Sequence, residues 1–223
     1  MDPLKFERAH HRLLREIERD AKETEFWTGR KRFSERTMAA MAAVPRHKFM
    51  LPGDEAVAYV NRPQAIGHGQ TISQPYIVAL MTDLLEVQIG SKVLEVGTGS
   101  GYQAAVLAEL GAKVFTIEII EPLGQLAKER LKRLGYGNVK TRISDGYYGW
   151  KEHAPFDAII VTAAASHVPP PLVRQLKPGG RMIAPVGQRF LVQYLTMVEK
   201  GVDGGVTSRL ILPVRFVPLT GGH

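Results

Sequence analysis

The most informative stretch of the chain is Leu94–Tyr102, which reads Leu-Glu-Val-Gly-Thr-Gly-Ser-Gly-Tyr. A β-branched run, Val93–Val96, leads into the glycines, and a segment with helical spacing, Tyr102–Leu110, follows them. Glycines let the backbone turn tightly and let a ligand approach it, while the first turn of a helix presents unpaired N–H groups. The stretch therefore predicts a strand, a ligand-binding turn and a helix.

Strand-like runs alternate with helical segments from Lys92 onward, a pattern typical of βαβ units. The predicted strands are Val93–Val96, Lys113–Ile117, Val139–Ile143, Asp157–Val161, Arg181–Ala184, Leu191–Glu199 and Leu210–Phe216, with antiparallel members expected among the last two. The predicted helices are Tyr102–Leu110, Pro122–Leu134 and Pro170–Leu176. The pattern predicts an α/β fold with a doubly wound, mostly parallel sheet.

The residues before this sheet divide into two parts. Residues 1–50 predict a helical N-terminal extension, with amphipathic spacing in its first half and a second helix over Ser34–Ala43. Residues 51–91 are loops rich in Gly, Pro and Gln followed by a helix over Tyr76–Val87, and we expect them to cover the substrate and the cofactor. Residues 92–223 would form the cofactor-binding core of one compact domain.

Composition excludes several classes of protein. With 44% hydrophobic and 23% charged residues among 223, the chain has the profile of a folded globular protein. Its longest apolar run, Ala158–Ala165, is far shorter than the roughly 20 residues that cross a bilayer, and the N-terminus lacks the apolar segment of a secretory signal. We therefore expect a cytoplasmic protein without a membrane span.

The chain contains no cysteine, which excludes disulfides, thiolate metal sites and a cysteine nucleophile. Its histidines show no metal-ligand spacing, so no metal site is expected. A net charge of +7 favours loose association with anionic partners. However, the 12 basic and 8 acidic residues of the first 50 are interleaved, which favours a solvated helical surface over a nucleic-acid-binding patch.

Details of the glycine turn indicate the cofactor. Dinucleotide-binding turns carry a third glycine where this chain has Tyr102. Instead, the GxGxG spacing with Glu95 two residues before the first glycine resembles motif I of S-adenosylmethionine-dependent methyltransferases. Glu118, 21 residues after Gly97 at the end of the next strand, is placed to accept hydrogen bonds from ribose hydroxyls. A turn shaped by topology alone, with Glu118 as a solvated charge, is the alternative.

Two features disfavour methylation of nucleic-acid bases. Enzymes that methylate exocyclic amines usually carry an Asn/Asp-Pro-Pro-aromatic segment after the fourth strand, where Val161–Ser166 reads Val-Thr-Ala-Ala-Ala-Ser. Methylation of base carbons through a thiolate adduct requires a cysteine, which this chain lacks. We therefore expect no nucleic-acid substrate.

Several segments together resemble the protein-L-isoaspartate O-methyltransferase family. Gly69–Pro75, Gly-Gln-Thr-Ile-Ser-Gln-Pro, is the discriminating segment, because methyltransferases with other substrates share the glycine turn but not this one. The other matching segments are Val44–Phe49, Ala65–Gly69, Leu94–Tyr102, Phe156–Ala164, Gln175–Gly187 and Arg215–Thr220. The first 35 or so residues match only weakly.

The resemblance implies an enzyme that transfers the methyl group of S-adenosylmethionine to the free α-carboxylate of L-isoaspartyl residues in damaged proteins and peptides. S-Adenosylhomocysteine is the other product, and the methylation initiates repair to L-aspartyl. Because a carboxylate is already ionised at neutral pH, the reaction needs alignment and no general base. Two rivals stay open: methylation of RNA, DNA or a small-molecule oxygen, and a non-enzymatic scaffold. A monomer is expected.

The resemblance also assigns residues. Ser73 is the predicted catalytic residue, whose hydroxyl would orient the substrate carboxylate, although a serine in this place is also a good N-cap for the following helix. The predicted cofactor contacts are Ile72, Ser73, Gln74, Pro75, Glu95, Gly97, Gly99, Ser100, Glu118, Asp145, Gly146 and Thr220, with Asp145 expected near the adenine amino group. The predicted substrate contacts, largely through the backbone, are His68, Thr71, Pro185, Val186 and Gly187.

Overall fold

A computed structural model describes residues 3–188 and 191–222, so residues 1 and 2 of the predicted extension lie outside it. The helices are α1 (Pro3–Glu23), α2 (Glu25–Thr28), α3 (Glu35–Ala43), α4 (Pro75–Leu84), α5 (Tyr102–Glu109), α6 (Glu121–Arg133) and α7 (Pro170–Gln175). The strands are β1 (Gln64–Gly67), β2 (Gln70–Ile72), β3 (Lys92–Val96), β4 (Lys113–Glu118), β5 (Lys140–Ile143), β6 (Phe156–Val161), β7 (Leu176–Val186), β8 (Gln193–Lys200) and β9 (Val206–Val214).

Seven strands form the central sheet in the order β5-β4-β3-β6-β7-β8-β9. The first five are parallel, and β8 and β9 pair antiparallel at one edge. This arrangement confirms the predicted α/β fold and its antiparallel end. The chain proceeds from β3 toward β5 and then returns to β6, so the strand order reverses between β3 and β6. In open α/β sheets a crevice for ligands lies at such a reversal.

Apolar side chains bury the central strands on both faces of the sheet. Val93 and Ile160 belong to one core, with helices α1, α3, α4, α5 and α6, whereas Leu94 and Ile159 belong to the other, with α7. Successive strand residues point to opposite faces, so both neighbours in each strand can be buried only if helices cover both faces. The strands are therefore nearly continuous apolar runs in the sequence.

The N-terminal extension packs against the core. Leu13, Ile17 and Ala21 recur every four residues along α1 and are buried, and α1 contacts both α3 and α4. This spacing confirms the amphipathic prediction for the first helix. Within residues 3–188 and 191–222, no helix has the length and apolar character needed to cross a membrane. The division into segments 1–50, 51–91 and 92–223 stays a prediction.

Residues 51–91 contain a hairpin that the sequence did not predict. Strands β1 and β2 form a two-stranded antiparallel sheet, with His68 and Gly69 in its turn. Both turn residues have positive φ, 52° and 69°, which suits a two-residue hairpin turn. The strands are short and partly exposed, so the apolar alternation that identifies a strand is weak here.

Several predicted boundaries were wrong. Helix α4 ends at Leu84 instead of Val87, because Glu86 adopts a left-handed conformation with φ 49°. Strand β7 begins at Leu176, before the Pro-Gly-Gly that predicted a break, and a register shift against β6 accommodates those residues. Strand β9 extends over Val206–Val214 instead of Leu210–Phe216. The prediction missed its first half because those residues are exposed and have no apolar face.

Candidate active site

One cleft lies at the carboxyl ends of β3, β4 and β6, where the strand order reverses. It brings together many of the predicted residues: Thr71, Ile72, Ser73, Glu95, Gly97, Gly99, Ser100, Glu118, Gly146 and Thr220. These residues come from three separate parts of the chain: the β2–α4 connection, the sheet with its turns, and the C-terminal segment. The structure thus gathers most of the predicted site in one place, while the role of each residue stays a prediction.

The glycine turn is held in a shape that only glycine adopts readily. Gly97 has φ 97°, and a Cβ atom there would collide with the hydroxyl of Thr162. That hydroxyl lies 2.6 Å from the Gly97 carbonyl oxygen, to which it donates a hydrogen bond. Thr162, at the end of β6, therefore fixes the turn from the neighbouring strand. Sequence reasoning missed this role, since a threonine after an apolar strand carries no specific signal.

Glu118 anchors the same turn from β4. One carboxylate oxygen accepts a hydrogen bond from the Gly99 N–H at 2.8 Å, and the other accepts from the Ile120 N–H at 3.0 Å. A carboxylate has about four acceptor sites, so these two bonds leave capacity for hydroxyl donors from a ligand. The predicted ribose contact stays a prediction, and the carboxylate also has a structural task that the sequence did not suggest.

Glu95 is an unusual group at the base of the cleft. Its side chain is completely buried, and neither carboxylate oxygen has a hydrogen-bond partner among the residues that the structure describes. Desolvation raises the pKa of Glu95 to about 8. An unpartnered buried carboxylate is costly, and it is relieved by a proton or by a cation. A positively charged ligand in the cleft would fit this residue.

Ser73 lies in the turn between β2 and α4. The N-cap of α4 is Gln74, which forms no side-chain cap, and Pro75 occupies the first helical turn. The alternative role of Ser73 as the N-cap is therefore wrong. Its carbonyl oxygen accepts a hydrogen bond from Nη2 of Arg46 at 2.8 Å, so a buried guanidinium fixes the turn.

Arg46 is fully buried although it is charged. Its Nε donates to the Ala58 carbonyl oxygen at 2.9 Å, and its guanidinium lies 4.8 Å from the ring centroid of Tyr102, the first residue of α5. Burial lowers the pKa of Arg46 to about 10, so it stays charged at neutral pH. Arg46 thereby connects the Ser73 turn to the helix after the glycine turn. The only sequence signal for this was an arginine inside the matching segment Val44–Phe49.

Three predicted cofactor contacts lie outside the cleft lining. Gln74 lines a neighbouring cavity, and Pro75 is buried at the start of α4. Asp145 uses its carboxylate to accept hydrogen bonds from the N–H groups of Tyr147 and Gly222, at 2.9 and 3.2 Å. Its predicted contact with adenine stays untested.

The predicted substrate residues are dispersed. Thr71 lines the cleft, and His68 is exposed in the β1–β2 turn. The Pro185 carbonyl accepts from the Ala165 N–H at 3.1 Å, while the Gly187 N–H donates to the Ala165 carbonyl at 2.9 Å. Those two backbone groups are therefore already bonded within the protein. Val186 pairs with Tyr194 of β8, so its backbone is also part of the sheet, and the predicted substrate contacts of Pro185, Val186 and Gly187 stay predictions.

A second cavity, of about 650 Å³, adjoins the cleft. Thr71 and Ser73 line both spaces, so they form the shared wall. The outer lining comes from the C-terminal part of α1, including Asp20 and Glu23, and from the end of β9 through Phe216. Ser73 therefore stands between a cleft beside the glycine turn and a larger cavity that opens to the surface.

Comparison with known proteins identifies the family. The family model described as protein-L-isoaspartate(D-aspartate) O-methyltransferase matches residues 25–223. A protein-L-isoaspartate O-methyltransferase 2 of Polaromonas sp. is 64% identical over 210 residues, covering 94% of this chain and 99% of the relative. A protein of the same name from Syntrophobacter fumaroxidans is 63% identical over 215 residues, covering 96% and 87%.

Solved structures agree. A protein-L-isoaspartate O-methyltransferase superposes with a TM-score of 0.82 at 28% identity, covering 95% of this chain and 66% of the other. A Plasmodium falciparum structure, titled a putative protein-L-isoaspartate O-methyltransferase in complex with S-adenosyl-L-homocysteine, gives 0.79 at 28% identity, covering 95% and 98%. The resemblance carried by Gly69–Pro75 is confirmed, and this chain belongs to the protein-L-isoaspartate(D-aspartate) O-methyltransferase family.

Proposed function

We propose that this protein transfers the methyl group of S-adenosylmethionine to the free α-carboxylate of L-isoaspartyl residues in damaged proteins and peptides, which initiates their repair to L-aspartyl. Family membership and the S-adenosyl-L-homocysteine in the Plasmodium falciparum relative support the reaction and the cofactor. The observation that carries the assignment to this site is the position of Ser73 in the wall between the cleft and the second cavity.

The cleft is the proposed cofactor site. When bound, S-adenosylmethionine supplies an electrophilic methyl group on a positively charged sulfur. Glu95 would balance the positive charge of the ligand, and Glu118 would accept hydrogen bonds from the ribose. Within the turn, the N–H groups of Gly97 and Thr98 donate to the Ile117 carbonyl and that of Gly99 donates to Glu118. Gly97, Gly99 and Ser100 would therefore contact the ligand through the close approach that glycine allows. Ile72, Gly146 and Thr220 would enclose the ligand, as the family pattern implies.

The second cavity is the proposed site of the polypeptide substrate. It is open to the surface, it is larger than a single side chain requires, and Thr71 and Ser73 line it. A chain lying there would place its isoaspartyl carboxylate beside the shared wall, facing the cleft. Backbone contacts from Thr71, His68 and the Pro185–Gly187 segment would suit an enzyme that accepts many sequences, since main-chain hydrogen bonds do not read side chains.

Ser73 is the proposed catalytic residue. A carboxylate with a reference pKa of about 3.5 to 4 is ionised at neutral pH, so no proton has to be removed. The hydroxyl of Ser73 is not used to cap α4, and it can donate a hydrogen bond to one carboxylate oxygen while the other faces the cleft. Alignment of this kind accounts for roughly 7 to 11 kcal/mol in well-oriented reactions.

A labelling assay tests the function. The protein is incubated with methyl-labelled S-adenosylmethionine and either an isoaspartyl peptide or the same peptide with normal aspartate as the control. We expect labelling of the isoaspartyl peptide and little of its counterpart. Equal labelling of both peptides, or labelling of tRNA, DNA or a small molecule instead, would contradict the proposal. Cofactor binding without any turnover would favour a scaffold.

The proposal extends to the protein's setting. We propose a monomer in the cytoplasm whose partners are damaged proteins and peptides and not nucleic acids. Analytical ultracentrifugation with and without an isoaspartyl peptide tests the monomer, and a dimer that dissociates with loss of activity would contradict it.

A further inference from the structure

We propose that helix α1 is a positioning element of the catalytic site, acting through Asp20 and Asn61 on the turn formed by Ser73–Tyr76. The inference rests on the proposed function, because it takes Ser73 as the catalytic residue. It concerns the part of the chain that resembles the family least, the N-terminal extension. Asp20 and Asn61 are positioning residues: they hold the Ser73–Tyr76 turn and thereby place the Ser73 hydroxyl.

The turn depends on a cap supplied by another segment. Gln74, the N-cap of α4, forms no side-chain cap, and Pro75 has no N–H. The Tyr76 N–H is one of the donors that a helix start leaves without a partner in the helix. The side-chain oxygen of Asn61 accepts a hydrogen bond from it at 3.0 Å. Asn61 thus performs for α4 the task of an N-cap side chain, from 15 residues away.

Asn61 is in turn held by α1. Its amide Nδ2 donates to a carboxylate oxygen of Asp20 at 2.7 Å. This bond also settles which end of the amide faces Tyr76, because only the oxygen can accept from an N–H. The Asp20 side chain is 22% exposed, so water competes little for the bond. A hydrogen bond to a charged group is stronger than a neutral one.

A second link joins the same two helices. The Thr24 hydroxyl lies 2.8 Å from the Asp20 carbonyl oxygen and 2.5 Å from the Tyr76 hydroxyl. It can donate its one proton to either, and either hydroxyl can be the donor in the contact between Thr24 and Tyr76. The first turn of α4 is therefore bound to α1 through its backbone and, through the Tyr76 side chain, to Thr24 directly after α1.

These links complement the hold of Arg46 on the other end of the turn. Arg46 fixes the Ser73 carbonyl, and Asn61 fixes the Tyr76 N–H three residues later. With both ends held, the Ser73 hydroxyl keeps a fixed place in the wall shared by the two cavities. Release of one end would let it move, and small misplacements of a positioning group lower the rate of an oriented reaction steeply.

The test compares four variants of the full chain with the labelled-donor assay. Asn61→Ala and Asp20→Ala should lower kcat about tenfold or more at saturating isoaspartyl peptide, because a misplaced group can cost up to about 100-fold. Asp20→Asn should restore most of the rate, since its amide oxygen still accepts from Asn61. Glu18→Ala, an exposed position on the same helix, is the control and should match the wild type.

Two further measurements separate positioning from general stability. The dissociation constant for S-adenosylhomocysteine should not change in Asn61→Ala, whereas amide hydrogen exchange at Tyr76 should become faster. An unchanged kcat in both alanine variants, or a loss of cofactor affinity equal to the loss of rate, would overturn the inference. If the wild type proves inactive on isoaspartyl peptides, the proposed function is refuted. The hydrogen-exchange measurement at Tyr76 still tests whether Asn61 holds the turn. If Asn61→Ala fails to fold, the comparison of kcat between Asp20→Ala and Asp20→Asn tests the inference instead.

Discussion

The cofactor cleft and the peptide cavity meet at Ser73, but they are built differently. The glycine turn at the base of the cleft is a run of consecutive residues, from Glu95 near the end of β3 to Gly101 before α5, although the rest of the cleft lining comes from other parts of the chain. The cavity is assembled from α1, the β2–α4 turn and the end of β9, which are far apart in the chain. The part of the cleft around the glycine turn can therefore be recognised from the local sequence. The cavity proposed for the peptide substrate is visible only in the folded chain.

Replacing Ser73 should have the largest effect and should separate the two regions. We expect Ser73→Ala to lower kcat by about 10², because the hydroxyl orients one carboxylate oxygen and the misplacement of a reacting group costs about that much. Calorimetry should give a nearly unchanged dissociation constant for S-adenosylhomocysteine, because the cleft has its own scaffold. A full rate in the alanine variant would remove Ser73 from the mechanism, and Ser208→Ala on the exposed strand β9 is the control.

Gly97→Ala should damage the cleft and leave the cavity intact. The residue has φ 97°, and a methyl group would collide with the Thr162 hydroxyl that fixes the turn. A left-handed conformation costs an alanine about 1 to 2 kcal/mol, so we expect affinity for S-adenosylhomocysteine to fall about 5- to 30-fold. Gly137→Ala, where a Cβ would meet no atom within 4 Å, is the matched control for calorimetry. Equal affinities in the two variants would contradict the rigid-turn description.

We expect a smaller effect from Glu95, which should make the affinity for the ligand depend on pH. Burial raises the pKa of this carboxyl to about 8, so near pH 7 most of it is protonated in the free protein. A cationic group on the ligand favours the ionised form and lowers that pKa, and binding therefore releases a proton. Affinity for S-adenosylhomocysteine, through its ammonium group, should rise with pH by up to about tenfold per unit and level off above about pH 8.

Calorimetry in buffers of different ionisation enthalpy measures the released proton directly. Glu95→Gln removes the titrating group and should bind with little dependence on pH over the same range. Retention of the full pH dependence in the glutamine variant would show that another group titrates. In that case the charge-balancing role proposed for Glu95 would be wrong, although the cleft itself would stand.

Much of the fold could be predicted, because burial on both faces of a sheet leaves a clear pattern. The apolar runs around Val93–Val96 and Asp157–Val161 correspond to strands β3 and β6 within one residue. The β1–β2 hairpin and the first half of β9 were missed for the opposite reason. Their strands are short or exposed, and the packing that normally imposes alternation is absent there.

The candidate site shows the same division between local pattern and packing. Motif spacing is enough to predict that Glu95, Gly97 and Glu118 surround one cleft, and all three line it. The backbone hydrogen bonds of Glu118 and the isolation of the Glu95 carboxylate could not be predicted, because both depend on which groups the folded chain brings within about 3 Å.

The amino-acid order alone determined the strand–turn–helix at residues 93–110 and the segment that identifies the family, because both depend on neighbours in the chain. Glycine conformation and strand burial are local or periodic properties. Only the tertiary structure decided that Arg46, Asn61 and Thr162 hold the turns of the site. Each acts on a partner 15 or more residues away, and such contacts exist only once the helices have packed on the sheet.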